Sequence, residues 1–382
     1  MTDASEFERS ADRAAASGDL AGARQAIESA LDNGTGTLAL WTKLSALRRA
    51  TGDLPGALAA IDQALALAPL DFSALLARAM LLEKLGNPAA GEAFSNAVAR
   101  LPANEEVPGP LAATVAHARK RADEHISSIE QRLVASIPAG LDPAHSNKAS
   151  RFVSNISKRT RHYHQEPTDF HFPGLPEIEF HEKSQFPELE AIEQATDAIR
   201  AEFEALIAAE AAEMVPYIQY PERVPLEQWK ELNNNRDWTA IHLLRNGKRV
   251  EANARHCPQT MAAVARLPQP RVPGASPNAM FSMLAPRTHI PPHTGVANTR
   301  LVCHLPLIVP PGCGFRCGAT SCEWHIGKAF VFDDTIEHEA WNDSDELRVV
   351  LIVDLWPPAL DEVDREMVST IIGAAGVSFT GA

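Results

Sequence analysis

The feature that most constrains the fold of this chain is a repeat of 34 residues near its N-terminus. A Gly-Asp-Leu triplet begins at Gly18 and returns at Gly52, and Gly86 opens a third, variant copy at the same spacing. Small and branched apolar residues follow the first two triplets at matching positions: Ala23, Ala26, Ile27, Ala30 and Leu31, then Ala57, Ala60, Ile61, Ala64 and Leu65. This period indicates stacked helical units that bury their apolar faces on one another.

The repeat resembles the tetratricopeptide repeat over residues 5–103. The resemblance implies an α-helical solenoid in which each glycine lies in a turn between paired helices and the alanines line the helix contact. Such a solenoid presents a concave face that binds a peptide or another subunit, or it serves only as a spacer. The alternative is an alanine-rich helical bundle without true repeats.

A linker follows at residues 104–150, with one helix predicted over 111–137 before prolines and a glycine interrupt the pattern. Beyond it, five segments rich in β-branched and aromatic residues predict short strands: 238–244, 279–284, 300–309, 329–333 and 347–356. Many short strands separated by turn signals favour a sandwich or barrel. One helix is predicted over 188–212, and another over 358–373 that packs on the barrel through Val363, Met367, Ile371 and Ile372.

His293 and His338 are candidate metal ligands, because each lies beside a predicted strand in a turn-like context. Such an imidazole pair favours Fe(II), Zn or Cu, and the usual non-haem iron site adds a carboxylate two residues after the first histidine. Gly295 occupies that position. Either water completes the site or one of three nearby acids contributes: Asp333, Asp334 or Glu337. The alternative is that both histidines are structural.

Arg348 lies in an otherwise apolar predicted strand. A buried guanidinium requires an anionic partner, and its two-pronged geometry suits a carboxylate. One candidate partner is an internal acid such as Asp354, and the other is a dicarboxylate cosubstrate beside the metal. Arg300 and His304, four residues apart, share one face of their own strand.

Three segments within residues 172–358 resemble the aspartyl/asparaginyl β-hydroxylase family of 2-oxoglutarate-dependent oxygenases: HTGVANTRLVCHLPLIVPPGC, GKAFVFDDTIEHEAWND and RVVLIVDLWPP. Members of that family have a glycine in an HxG motif, as Gly295 is here, and hold iron with two histidines. The resemblance therefore implies that His293 and His338 bind Fe(II). It also implies that 2-oxoglutarate is the cosubstrate, O2 the oxidant, and succinate and CO2 the co-products.

The resemblance further implies the residues that hold 2-oxoglutarate: Trp238, Ser282, Arg300, His304 and Arg348. Arg348 corresponds to the arginine that binds the distal carboxylate. Vertebrate members have an arginine at the position of Val302, whereas Arg300 matches the Asn-Thr-Arg-Leu-Val pattern of bacterial relatives.

The predicted architecture is multidomain α and β: an N-terminal α-helical tetratricopeptide-repeat solenoid at 5–103, a helical linker at 104–150 and an oxygenase domain at 151–382. The resemblance implies that the oxygenase core is a double-stranded β-helix, a cupin-like jelly roll. The predicted function is hydroxylation of an Asp/Asn-type β-carbon in a peptide or protein that the repeat domain helps to hold. The alternative substrate is a lipid acyl chain or a small molecule. The sequence does not indicate an oligomeric state.

Composition excludes other classes. The net charge of −14 opposes binding to nucleic acid, and no apolar run is long enough to predict a membrane span. Residues 1–20 lack the apolar core of a secretory signal, and five cysteines do not make a disulfide framework, so a cytoplasmic location is expected.

The cysteines at 313, 317 and 322 are predicted to be reduced side chains on neighbouring strands, with a metal site as the alternative. A non-enzymatic interaction protein and a zinc-dependent cupin isomerase are the remaining hypotheses.

Overall fold

The computed structural model of the chain describes residues 4–34, 36–101, 109–221 and 229–375. They form two compact units that divide between Thr160 and Arg161. The sequence analysis placed the domain boundary near residue 150, which lies inside the helix Pro143–Ile156. This helix follows the prolines that interrupt the linker, and it belongs to the first unit. Residues 102–108, where the predicted repeat region passes into the linker, lie outside the described residues.

The described part of the first unit is helical. Its helices are α1 (Ala4–Ala16), α2 (Leu20–Asp32), α3 (Leu38–Ala50), α4 (Leu54–Leu67), α5 (Phe72–Lys84), α6 (Ala90–Val98), α7 (Gly109–Ala135) and α8 (Pro143–Ile156). Each helix packs on the next along the chain. The helical region is thus confirmed, and its assignment as tetratricopeptide repeats stays a prediction.

The repeated Gly-Asp pair forms the junction between consecutive helices. Gly18 and Gly52 adopt φ values of +84° and +86°, which a residue with a Cβ atom rarely reaches. The next residue in each copy, Asp19 or Asp53, caps the following helix by accepting a hydrogen bond from the backbone amide of the third residue of that helix, at 2.8 and 2.9 Å. Five of the six alanines named in the first two copies are buried between the helices, and Ala26 is partly buried.

The second unit is an antiparallel β-sandwich. Its strands are β1 (Phe180–His181), β2 (Val215–Pro216), β3 (Trp238–Arg245), β4 (Lys248–Arg249), β5 (Ala279–Leu284), β6 (Thr288–His293), β7 (Leu301–Ile308), β8 (Cys313–Cys317), β9 (Thr320–Cys322), β10 (Phe330–Phe332), β11 (His338–Asn342) and β12 (Arg348–Leu355). One sheet has the order β1-β10-β7-β12-β5-β3-β2, with β4 paired to β3, and the other has the order β6-β11-β8-β9. The five predicted strands correspond to β3, β5, β7, β10 and β12.

Helices cover the outer face of the larger sheet. They are α9 (Leu189–Gln194), α10 (Thr196–Ala208) and α12 (Pro258–Val264), while α11 (Glu251–Ala254) lies beside β3 and α13 (Glu362–Ala375) packs in a separate cluster with Trp356. The single helix predicted over 188–212 is two helices, α9 and α10, that meet at Ala195. Side chains from α9, α10 and α12 form one core with this sheet, and a second core lies between the two sheets.

The predicted apolar stripe of α13 is largely wrong. Val363, Met367 and Ile371 are exposed, whereas Ile372 is buried together with Val368, which the prediction did not include. The helix starts four residues later than expected, at Glu362, and it packs beside Trp356 through these two residues.

The five cysteines are free thiols. Cys313 and Cys317 lie on β8 and Cys322 on the neighbouring β9, as predicted. Among the described residues, no helix combines the length and apolar character needed to cross a membrane.

Candidate active site

Strand alternation decides which side chains enter the space between the two sheets. Along β12, Leu351 and Val353 pack against the helices, whereas Val350 and Ile352 lie between the sheets. Since successive side chains point to opposite faces, Arg348 is on the inner face with Val350. The same alternation along β3, β5 and β7 brings three other predicted residues to the inner face: Trp238, Ser282 and His304.

The two predicted metal ligands lie opposite each other on the smaller sheet. His293 ends β6, His338 begins β11, and the antiparallel register pairs the two residues directly. Their ring centroids are 4.0 Å apart. The structure therefore brings together two histidines that are separated by 45 positions in the sequence.

Each imidazole is held by a backbone carbonyl. His293 Nδ1 donates to the Pro291 oxygen at 2.7 Å, and His338 Nδ1 donates to the Ile336 oxygen at 3.1 Å. An Nδ1 that donates carries the proton, so Nε2 keeps its lone pair in the neutral ring. This is the arrangement in which a protein backbone orients a metal-binding histidine.

Both rings are neutral at pH 7. Burial lowers the pKa of His293 to about 4. Burial and the adjacent His293 ring lower the pKa of His338 well below its usual value. A neutral imidazole is the metal-binding form, and two such donors suit Fe(II), Zn or Cu.

The three acids considered as a third ligand have other partners: Asp333 accepts hydrogen bonds from Thr335, Asp334 pairs with Arg300, and Glu337 pairs with Arg316. Within the described residues, none of them forms a three-residue metal cluster with the histidine pair. The Asp334 carboxylate also lies where a side chain at Gly295 would project, so this position has no room for a ligand of its own. The geometry favours a site with two protein ligands.

Arg348 is a buried cation without an acidic partner among the described residues. It is 2% exposed, and its guanidinium lies 4.8 Å from the ring centroid of Trp324. Burial lowers its pKa to about 10. The alternative salt bridge to Asp354 is not formed, because the Asp354 carboxylate instead accepts from Ser276, Asn278 and Arg300.

Arg300 lies between two buried carboxylates. Its guanidinium is 2.9 Å from Asp334 and 3.1 Å from Asp354. Burial alone would lower the pKa of Arg300, but the two carboxylates raise it above its usual value. Burial raises the pKa of Asp334 to about 7, although Arg300 opposes this shift. The structure thus places Arg300 in an internal ion network, and a role in binding the cosubstrate stays a prediction.

His304 and Trp324 present buried polar atoms without protein partners. His304 Nδ1 and Trp324 Nε1 have no hydrogen bond within the described structure. Burial, with the charge of Arg348, lowers the pKa of His304 well below its usual value. Buried polar atoms in native proteins are nearly always satisfied, so these two atoms and the Arg348 guanidinium indicate a place for a polar, anionic ligand.

Ser282 and Trp238 are joined across neighbouring strands. Trp238 Nε1 donates to Ser282 Oγ at 3.1 Å, which leaves the hydroxyl proton of Ser282 for another acceptor. The Trp238 ring stacks on Tyr217, with the centroids 3.9 Å apart. Burial raises the pKa of Tyr217 to about 12, so its hydroxyl is protonated.

The sequence analysis missed three aromatic residues of the site. Trp324 lies beneath Arg348, Trp229 lies with its ring 4.7 Å from that of His293, and Tyr217 covers Trp238. Trp229 and Trp324 are in loops, and Tyr217 directly follows the two-residue strand β2, so no strand or helix periodicity marks them. The sequence signal that could have marked them as site residues is that they are aromatic, in a chain with only 6% aromatic residues.

Residues 193–358 match a family described as aspartyl/asparaginyl beta-hydroxylase. The chain is 37% identical to the ornithine lipid ester-linked acyl 2-hydroxylase of Rhizobium tropici over 188 residues, 48% of this chain and 62% of that protein. It is 34% identical to the aspartyl/asparaginyl beta-hydroxylase of Homo sapiens over 148 residues, 38% of this chain and 19% of that protein. The chain therefore covers less than two thirds of either relative.

Among solved structures, one described as a predicted oxalate decarboxylase from Thermotoga maritima aligns with 31% of this chain and 81% of its own. The aligned residues are 13% identical, and the TM-score is 0.21.

Proposed function

We propose, from the match of residues 193–358 to the aspartyl/asparaginyl β-hydroxylase family, that the chain is an Fe(II)- and 2-oxoglutarate-dependent dioxygenase. In this proposal it uses O2 to hydroxylate an Asp/Asn-type β-carbon in a peptide or protein, and it releases succinate and CO2. The observation that carries the proposal is a neutral histidine pair on the same sandwich interior as a buried arginine that has no acidic partner among the described residues.

His293 and His338 would hold the metal through Nε2, since their Nδ1 atoms are already committed to backbone carbonyls. Fe(II), when bound with 2-oxoglutarate and O2, supplies the oxidising chemistry that inserts oxygen into a C–H bond. The chain's part is to keep both rings neutral and oriented. Two adjacent strands of a paired sheet do this more rigidly than a loop can.

Arg348 would bind the distal carboxylate of 2-oxoglutarate. A guanidinium that is desolvated before the ligand arrives makes a strong, two-pronged contact with a carboxylate. His304 Nδ1, Trp324 Nε1 and the Ser282 hydroxyl are further polar atoms on this side of the sandwich that lack some or all of their hydrogen bonds. A dicarboxylate would satisfy them together.

Aromatic side chains around these groups would exclude water from the reaction. The rings of Phe315 and Phe332 lie with their centroids 6.0 and 5.2 Å from that of His338. A low-dielectric surrounding strengthens the contact between Arg348 and an anion. It also protects a reactive oxidant from side reactions.

The proposal is tested by incubating the protein with Fe(II), 2-oxoglutarate and O2 and measuring succinate. The expected result is succinate release that depends on both Fe(II) and 2-oxoglutarate and rises when a substrate is added. A protein that binds Fe(II) but forms no succinate with any substrate would contradict the proposal.

A second candidate substrate is a lipid acyl chain, and the similarity to the Rhizobium tropici acyl 2-hydroxylase favours it. Mass spectrometry distinguishes the two candidates. Asp- and Asn-containing peptides and ornithine lipids are incubated separately, and each product is examined for one added oxygen atom. Oxygen added to lipid alone would replace the peptide proposal without changing the reaction class.

The helical first unit would help to hold a polypeptide substrate, because solenoids of paired helices present an extended surface for peptides. A small substrate would leave this unit without a role in catalysis. A cytoplasmic location is also part of the proposal, and the five free thiols suit a reducing compartment.

A further inference from the structure

A second group of metal-ligating side chains lies at the start of the second unit and is separate from the candidate ligands His293 and His338. His162, His164 and Glu177 each contribute one donor atom that lies within 4.8 Å of the other two. In the part of the chain that the structure describes, this is the one group of three His, Cys, Asp or Glu residues with such spacing. It shares no residue with the His293–His338 pair.

The donor atoms have separations that a metal ion can bridge. In an extended segment, side chains two apart point to the same side, which brings both imidazoles toward Glu177. His164 Nδ1 lies 3.0 Å and His162 Nε2 lies 3.9 Å from the same oxygen, Glu177 Oε2. Ligand atoms around a tetrahedral Zn²⁺ are separated by about 3.4 Å, given its bond lengths to nitrogen and oxygen.

The carboxylate of Glu177 is already ionised and oriented. Its Oε1 accepts a hydrogen bond from the Gln165 amide at 3.0 Å, and His164 Nδ1 lies close to both carboxylate oxygens, 3.2 Å from Oε1 and 3.0 Å from Oε2. Partial burial raises the pKa of Glu177, but the hydrogen bond from the Gln165 amide and the two neighbouring histidines lower it by more. The pKa of Glu177 is therefore below its usual value. The three side chains are at least partly exposed, with 62%, 63% and 31% of their side-chain surfaces accessible, so an ion can reach them from solvent.

We propose that His162, His164 and Glu177 form a second metal site, for a divalent transition metal such as Zn²⁺, which fastens this segment over the turn that presents His338. Two imidazoles and one carboxylate, with water in the fourth position, make a suitable donor set for zinc.

Backbone contacts join the segment that follows His164 to the turn that precedes His338. Gln165, directly after His164, forms an antiparallel bridge with Ile336, whose carbonyl orients the His338 ring. The next amide, Glu166 N, donates to the Thr335 oxygen at 2.8 Å. A metal ion at the cluster would therefore stabilise the segment that lies against the backbone of the 335–336 turn.

Zinc binding is measured on metal-stripped full-length His293→Ala/His338→Ala protein, so that the candidate active site cannot contribute. About one zinc ion per chain is expected to bind. Adding His164→Ala or Glu177→Gln should weaken zinc binding at least about tenfold. Losing a residue that only hydrogen-bonds a metal ligand already lowers metal affinity about tenfold or more, and losing a ligand itself should lower it no less. His145→Ala is the matched control and should not change zinc binding, since that exposed histidine pairs with the Asp142 carboxylate at 2.7 Å and belongs to no three-residue cluster of possible ligands within the described residues.

Two further readouts do not depend on catalysis. Zinc should raise the thermal unfolding midpoint of the His293→Ala/His338→Ala protein and not that of the protein with His164→Ala added. Hydrogen exchange at the Glu166 amide should slow when zinc binds. Folded protein that binds no zinc, or that binds it equally well after both cluster substitutions, would overturn the proposal. Because turnover is not measured, failure of the dioxygenase proposal would be recognised separately.

Discussion

At the scale of single residues, the candidate active site depends on groups that the fold keeps in an uncommon state. His293 and His338 are neutral, with tautomers set by backbone carbonyls, and Arg348 is a buried cation that has an aromatic ring, and no acid of the described residues, beside it. A buried charge of this kind lowers stability unless a ligand pairs with it. The chain thus retains an arrangement that favours binding over stability.

His338→Ala should abolish succinate formation and remove Fe(II) from the candidate active site, because one of its two protein ligands is lost. Succinate assays and metal analysis with Fe(II) check this. His289→Ala is the control, since His289 lies on the same strand as His293 but is exposed and paired with Glu339 at 2.9 Å. Full turnover by His338→Ala would show that the ligand assignment is wrong.

Arg348→Met should raise the KM for 2-oxoglutarate at least about tenfold, through loss of a charge-assisted contact. The same change should leave the free energy of unfolding unchanged or increase it, because it replaces an unpaired buried charge with an apolar side chain of similar length. Steady-state kinetics and urea unfolding measure the two effects. A large loss of stability with an unchanged KM would indicate that Arg348 has a structural role instead.

The free energy of unfolding of the metal-free protein should fall as the pH is lowered from about 6.5 to 4. In this window an unfolded histidine binds a proton, whereas His293, with its pKa lowered to about 4, stays neutral in the fold. The unfolded state therefore binds more protons, and up to about 3 kcal/mol is lost as the pH falls. Urea unfolding at several pH values measures the slope, which His293→Gln should reduce. An equal slope in that variant would contradict the lowered pKa.

At the scale of secondary-structure elements, the repeated Gly-Asp pair ends one helix and starts the next. Gly52 takes the left-handed conformation, and Asp53 caps α4 through its carboxylate. These two adjacent residues therefore decide where the chain turns, and their recurrence after 34 residues explains the repeat.

Replacing Asp53 with alanine should destabilise the first unit by about 1 kcal/mol, the usual cost of a lost helix cap. Gly52→Ala should cost about 1 kcal/mol or more, because its φ is +86°. Gly109→Ala is the matched control, since Gly109 begins a helix with open space around its Cα and without a positive φ. Chemical unfolding followed by far-UV circular dichroism checks the series, and equal stability of the Gly52 and Gly109 variants would contradict the junction role.

At the scale of the whole molecule, the chain has separate cores in its two compact units. A unit with its own core can unfold in its own transition. Leu351→Ala removes a fully buried side chain from the core between the larger sheet and its helices. It should cost the second unit about 2–5 kcal/mol and lower one calorimetric transition while leaving the other in place. A single transition that shifts as a whole would show that the units unfold together.

Several features of this protein were determined by local sequence. The repeat marks the helical unit because glycine and aspartate act on the backbone within three or four residues, and the five strand segments are recognisable from their own composition. The histidine pair and Arg348 were identified as candidates because their residue types limit what chemistry they can do.

Only the tertiary structure decided which of these residues meet and which find other partners. It paired Arg300 with Asp334 and Asp354, left Arg348 without an acid among the described residues, and turned three apolar residues of α13 toward solvent. It also brought His162 and His164 to Glu177. The physical reason is that a charge or a metal ligand acts over a few ångströms in space, and the register of distant strands and loops sets those distances.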